Sequence, residues 1–252
     1  MPDARTDRPQ PLARLTGKLR RPALPGATQL AFSSGFVIVN SMTGFNLVLG
    51  MLSLICASAG SVSLAAWGLL CCVLLDGFDG ALARHWKVSS DFGAQLDSLA
   101  DMTSFIIAGA ALIYYWVAPT PPFWMIFTAS GMYTLAGAIR LARFNSVTPD
   151  RSYFQGLPTT FAAAVIAANY LIYPSFDSYW IIGLVTLLAV LMVSIFPYPK
   201  LTVVGRWLRW GWPLLIAGAL ISLSWTVWSL ALAYICLGPA ISLWRRIKGA
   251  RG

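Results

Sequence analysis

The chain is written as long apolar runs separated by short polar breaks. The runs fall near residues 33–58, 62–84, 93–117, 122–142, 157–174, 178–197, 210–225 and 227–244. About 20 apolar residues in a helix cross a bilayer core, so these runs read as membrane spans. The pattern predicts an all-α, polytopic membrane protein of about eight transmembrane helices. The last two runs share few residues, and Trp212-Pro213 interrupts the start of the first, so a re-entrant pair is the alternative there.

Composition sharpens this picture. With 58% hydrophobic and 11% charged residues, and a mean hydropathy of +0.69, the chain lies outside the soluble globular range. Charge then orients it. The connections near 59–61, 118–121, 175–177 and 226 carry no Lys or Arg, and all 18 basic residues fall on the opposite side. They lie in Arg5–Arg21, Arg84 and Lys87, Arg140–Arg151, Lys200–Arg209 and Arg245–Arg251. The positive-inside rule assigns that side, with both termini, to the cytoplasm of a cell (inner) membrane. The net charge of +9 is spread over short loops, which suits topology and anionic lipid head groups, not nucleic acid.

The expected organisation is a basic cytoplasmic arm at 1–32, a core at 33–200, and a C-terminal helical pair with a basic tail at 201–252. No short apolar stretch with a cleavage site precedes the first run, so no cleaved signal peptide is expected. Leu12, Leu15 and Leu19 alternate with Arg14, Lys18 and Arg20, which suits a short interfacial helix or a disordered arm. Cys56, Cys71, Cys72 and Cys236 all lie inside runs without metal-ligand spacing, so they are expected to be buried small residues.

Against this background, carboxylates inside the runs stand out. From Asp76 to Asp101 the chain follows D-x2-D-G-x2-A-R-x8-G-x3-D-x3-D, eight fixed positions in a 26-residue window. Asp76 and Asp79 are three apart and Asp97 and Asp101 four apart, so each pair shares a helix face. The stretch His85-Trp86-Lys87-Val88 turns the chain, and Ser89, Ser90 and Asp91 are N-cap candidates for the returning helix. Four carboxylates brought together repel unless a cation sits between them, and hard oxygen donors favour Mg2+ or Mn2+. Gly80, Ala83 and Gly93 let backbone and ligand approach closely, and Arg84 can pair with phosphate oxygens. His85, the single histidine, reads as an interfacial residue.

This pattern resembles the signature of the CDP-alcohol phosphotransferase family, which implies a six-helix core and phospholipid synthesis from a CDP-activated lipid. By that resemblance Asp76, Asp79, Asp97 and Asp101 hold two divalent ions, Mg2+ or Mn2+, and Asp101 also acts as general base. Asp76, Gly80, Ala83, Arg84 and Gly93 take the CDP diphosphate. A homodimer is implied in the same way.

Outside the motif, the chain is similar to the membrane-embedded phosphatidylserine synthase branch. The similar segments are Phe92-Gly93 through Leu96-Asp97-Ser98-Leu99-Ala100-Asp101, Arg140-Leu141-Ala142-Arg143-Phe144-Asn145, Phe154-Gln155-Gly156-Leu157-Pro158 and Tyr198-Pro199-Lys200. Thr43, Asn46 and Gly50 match its first-span pattern. The branch usually has Gly after Ser104-Phe105 and Pro soon after, where this chain has Ile106-Ile107-Ala108-Gly109; Thr160 stands where a second Pro often follows G-L-P. The implied reaction transfers a phosphatidyl group from CDP-diacylglycerol to L-serine and releases CMP. Serine brings a carboxylate, so Arg140, Arg143 and Asn145 are candidate acceptor contacts, with anchoring or phosphate binding the competing role for the arginines. The alternatives are a family member using glycerol 3-phosphate or an inositol phosphate, and a non-enzymatic cation-binding transporter.

Overall fold

The computed structural model describes residues 33–88, 90–118, 120–146, 153–199 and 223–249. Helix α1 (Ser34–Ser58) and helix α2 (Val62–Trp86) form an antiparallel hairpin. Its three-residue turn places Gly60 at φ +82°, the left-handed region that glycine enters without a Cβ clash. The next rod is α3 (Asp91–Asp101), a π turn (Met102–Ile107) and α4 (Ala108–Val117). It is followed by α5 (Phe123–Ser146), α6 (Thr159–Ile172), α7 (Ser178–Val193) and α8 (Leu223–Gly249). The two short strands, β1 (Tyr153–Gln155) and β2 (Pro197–Pro199), pair antiparallel with Phe154 opposite Tyr198.

Among the described residues, four helices are long and apolar enough to cross a membrane: α1, α2, the 27-residue rod from Asp91 to Val117, and α5. Helices α6 and α7 are shorter, as is the apolar stretch Ala231–Trp244 within α8. Large apolar side chains such as Phe45, Trp67, Phe78, Trp124, Phe127 and Trp180 point outward, as a lipid-facing surface requires.

Several sequence expectations need correction. Helices α6 and α7 have 14 and 16 residues, shorter than the runs at 157–174 and 178–197. The α7 run includes Ser194 to Pro197, but the helix stops at Val193 and the chain leaves for the β ladder. The approaching Pro197 disfavours helical backbone before it. Helix α8 is continuous through Thr226, where a connection was expected; Trp225-Thr226-Val227 offers no glycine or proline to end it. Of the cysteines, only Cys72 is buried, Cys71 and Cys236 being exposed, since neighbours on a helix face directions about 100° apart. The arm at 1–32, most of the 210–225 run, Ser89, Arg151 and Lys200 lie outside the described residues.

The core is one apolar cluster in which α1 and α2 contribute Ala57, Ala65, Ala66 and Leu69 against Phe105, Leu112, Ile113 and Tyr133. Small residues bring the helices close. A Cβ on Gly50 would lie 2.5 Å from the Ser104 Cα, and one on Gly137 would lie 2.6 Å from the Ile106 Cδ1. Both contacts fall on the π turn. Ser104 Oγ donates to the Asn46 carbonyl at 2.9 Å, and Tyr133 Oη to the Phe105 carbonyl at 3.0 Å. A π turn has poorer internal hydrogen bonding than an α-helix; here two neighbouring helices clamp it directly after Asp101.

Candidate active site

The reversal between α2 and α3 is built locally. Lys87 takes the left-handed conformation (φ 56°) at the end of α2 and its N–H donates to the Ala83 carbonyl, as does Val88 at 3.1 Å. Two residues later Ser90 caps α3, its Oγ accepting from the Gly93 N–H at 3.0 Å. The second half of α2 and α3 thus bring Asp76, Asp97 and Asp101 together. One carboxylate oxygen from each lies within 4.8 Å of the others.

Asp101 Oδ1 is buried without a hydrogen-bond partner. A buried acceptor is costly when left unpaired, and three close carboxylates repel. Both features fit a group of oxygen donors around a divalent cation, as chemistry of this donor type favours Mg2+ or Mn2+ over softer ions.

Asp79, one turn along α2, is buried and accepts from Thr43 Oγ1 of α1 at 3.0 Å. It lines a cavity of about 210 Å³ together with Gly80, Ala83 and Arg84 of α2, Gly93 and Asp97 of α3, and Asn40 and Thr43 of α1. Asp97 is common to the carboxylate group and the cavity. A Cβ on Gly80 would meet only Arg84 Nη1, at 3.5 Å, whereas one on Gly93 would lie 3.2 Å from both Asn40 Oδ1 and Ser90 Oγ. Gly80 therefore leaves open space here, while Gly93 lets Asn40 and Ser90 approach closely. Asn40 was missed by sequence reasoning. Its signal was available: Asn40, Thr43 and Asn46 recur every three residues along an otherwise apolar run.

The three candidate acceptor residues diverge. Arg140 is buried, donates to Thr159 Oγ1 of α6 at 3.0 Å, and lies within electrostatic reach of Asp101 and Asp76. Arg143 donates to the Ser194 and Val193 carbonyls at the end of α7, at 3.1 and 2.7 Å. Asn145 pairs with Ser98 of α3, its Nδ2 lying 2.9 Å from Ser98 Oγ. The structure thus brings Arg140 within electrostatic reach of the aspartates, Asn145 to Ser98 beside Asp97, and Arg143 to the end of α7. His85 is exposed at the end of α2.

Gly156 sits at φ +78°, and a Cβ there would lie 2.2 Å from the Met192 carbonyl oxygen. Leu157 N–H donates to the Leu191 carbonyl at 3.0 Å. With Arg143, this segment satisfies the free carbonyls at the end of α7 that a helix terminus leaves open.

The profile of CDP-alcohol phosphatidyltransferases matches residues 36–196. The chain is similar to a CDP-diacylglycerol–serine O-phosphatidyltransferase of Helicobacter pylori, 34% identical over 174 residues, covering 66% of this chain and 73% of that protein. An archaetidylserine synthase of Methanothermobacter thermautotrophicus is 34% identical over 160 residues, covering 62% and 66%. A CDP-diacylglycerol–serine O-phosphatidyltransferase of Mycobacterium tuberculosis is 25% identical over 223 residues, covering 81% and 77%. The matched segment contains every helix that lines the cavity or carries an aspartate of the motif, and the chain belongs to the CDP-alcohol phosphatidyltransferase family.

Proposed function

We propose that this multi-pass membrane protein transfers a phosphatidyl group from CDP-diacylglycerol to L-serine, forming phosphatidylserine and releasing CMP. One observation carries the reading: three aspartates converge, and one of them, Asp97, also lines a cavity shared with Asp79, Gly80, Ala83, Arg84 and Gly93. The names of the similar proteins supply the serine acceptor.

In this reading the cytidine and diphosphate enter the cavity, with Arg84 pairing with phosphate oxygens through its planar fork. Two divalent ions, Mg2+ or Mn2+, held among Asp76, Asp79, Asp97 and Asp101, would offset the diphosphate charge as the displacement proceeds. Asp101 takes the proton from the serine hydroxyl. The serine oxygen then bonds to the phosphorus bearing the diacylglycerol, and that phosphorus loses its bond to the bridging oxygen. CMP leaves with the electron pair. Arg140 supplies the cation for the serine carboxylate, while Asn145 and Arg143 fix the neighbouring segments.

The lipid tails stay in the bilayer beside α2 and α3. The reading includes eight spans: a family core at 33–200 and a helical pair at 201–252 that ends in a basic tail. The basic arm at 1–32, both termini and the site face the cytoplasm of the inner membrane, on the strength of the one-sided Lys and Arg distribution. The working unit is a homodimer, by family resemblance.

The test is CMP release in liposomes containing CDP-diacylglycerol and Mg2+ or Mn2+, with a panel of alcohols. Metal-dependent release with serine is the expected result. Release only with glycerol 3-phosphate or an inositol phosphate would keep the site and replace the acceptor. Absence of release with every alcohol, from folded protein that binds Mn2+, would favour a cation-binding protein without chemistry.

A further inference from the structure

Helix α8 lies wholly beyond the 36–196 segment that the family shares, yet its contacts lead back to the site. Pro239 interrupts it. Proline has no N–H, so the Ile235 carbonyl four residues earlier lacks its helical donor. Tyr198 of β2 supplies one: its hydroxyl donates to the Ile235 carbonyl at 3.1 Å. Burial pushes this hydroxyl up to about 12, so it remains a donor throughout the ordinary pH range. The neighbouring Gly238 lets the ring in, since a Cβ there would lie 2.5 Å from the Tyr198 Cζ. A proline that frees a carbonyl and a glycine that clears a face dock α8 on one buried tyrosine.

One turn back, Tyr234 is buried between two rings. It lies 5.5 Å from the Tyr198 ring and 4.4 Å from that of Phe161, measured between centroids. Phe161 is on the first turn of α6, two residues after Thr159, the hydrogen-bond partner of Arg140. Tyr234 also lies within electrostatic reach of Arg140, as do Asp101 and Asp76. The first turn of α6 thus joins α8 to the arginine: Phe161 meets Tyr234, and Thr159 accepts from Arg140.

We propose that Tyr234 is a positioning residue for Arg140, and that α8 is thereby a working part of the acceptor side of the active site. Tyr198, Gly238 and Pro239 hold the helix in register, and Tyr234 packs on Phe161, two residues after the threonine that accepts from Arg140. This rests on the reading of Arg140 as an acceptor contact. If instead α8 were only a packing helix, changes at Tyr234 would alter stability without distinguishing the two substrates.

The experiment uses the full chain in liposomes and compares Tyr234→Phe, Tyr234→Leu, Tyr198→Phe and Arg140→Lys with the unaltered protein. Separate KM values for the alcohol and for CDP-diacylglycerol are read beside the melting temperature. Tyr234→Phe keeps the ring and removes the hydroxyl within electrostatic reach of Arg140, so the alcohol KM should rise about three- to tenfold. The CDP-lipid KM should stay within about twofold, since the nucleotide side is untouched. Tyr234→Leu and Tyr198→Phe should shift the same constant in the same direction. Equal changes in both constants, or none, in Tyr234→Phe while Arg140→Lys separates them would overturn the proposal. If the unaltered protein prefers another alcohol, the serine reading falls, and the same separation measured with that alcohol still decides the role of Tyr234.

Discussion

The hairpin of α1 and α2 behaves as two different materials along its length. Near the Gly60 turn it is dry and close-packed: Ala57, Ala65, Ala66, Leu69 and Cys72 are fully buried, and Ser53 bonds the Ala65 carbonyl across the pair. At the other end the same helices part around a cavity lined by Asn40, Thr43, Asp79, Gly80 and Arg84. Small residues occur in both halves but serve opposite ends. Gly68 meets Ser53 across the helix pair, with 3.2 Å left for a Cβ, whereas Gly80 faces open space beside one arginine. A small residue in a membrane helix thus means packing or vacancy, and only the partner across from it decides which.

The largest effect expected from this division is at the open end. Asp101→Asn removes the proposed base, and loss of general-base catalysis typically costs about 10²–10⁴ in rate. CMP release should fall by that order, while the melting temperature holds or rises because one of three mutually repelling carboxylates is gone. A melting temperature that falls with activity would show the cluster to be part of the fold's support and erase the division. Leu69→Ala probes the dry end. Emptying a fully buried leucine site typically costs about 2–5 kcal/mol, so thermal stability should drop while both substrate KM values stay unchanged.

Much of this arrangement is legible in the amino-acid sequence. The first four runs become α1, α2, the α3–α4 rod and α5 with boundaries shifted by a few residues at most, because lipid demands long uninterrupted apolar helices. The eight motif positions fall on the facing ends of α2 and α3, because the short turn between them permits little else. What stayed hidden depends on contacts distant in sequence. The segment Met102–Ile107 has no glycine or proline to announce a π turn; Asn46, Tyr133 and Gly137 hold it from other helices. Ile106, which departs from the glycine usual in the similar branch, finds its space in the missing side chain of Gly137. Pro197 and Pro199 are poor strand residues, yet they flank Tyr198 in the ladder opposite Phe154. Arg140 and Arg143 share a face by spacing, but one bonds Thr159 of α6 and the other the carbonyls at the end of α7.

A matched pair of glycine substitutions would sharpen the contrast next. In Gly50→Ala the new methyl meets the Ser104 backbone, which cannot yield as a side-chain end can. Overpacking of this kind typically costs about 1–3 kcal/mol, and the π turn after Asp101 would take the strain. In Gly80→Ala the methyl meets only the mobile end of Arg84. Stability should be retained there, and the KM for CDP-diacylglycerol should rise by about tenfold or more, the scale on which a pocket rejects one methyl too many. Equal destabilisation by both would mean that Gly80 packs against something in the working protein, for instance a second copy, and that the cavity is not its reason for being small.

Gly131 offers the smallest effect and the cleanest control. It lies in the interior of α5, exposed, with nothing within 4 Å of where its Cβ would be. Neither packing nor the cavity calls for a glycine there. Alanine loses less conformational freedom on folding, and the exchange in a helix interior is worth roughly 0.5–1 kcal/mol. Gly131→Ala should therefore raise the melting temperature slightly and leave both KM values where they are. A loss of stability instead would show that this face of α5 touches a partner helix in the bilayer. The outward faces would then have to be divided, like α1 and α2, into those that meet lipid and those that meet protein.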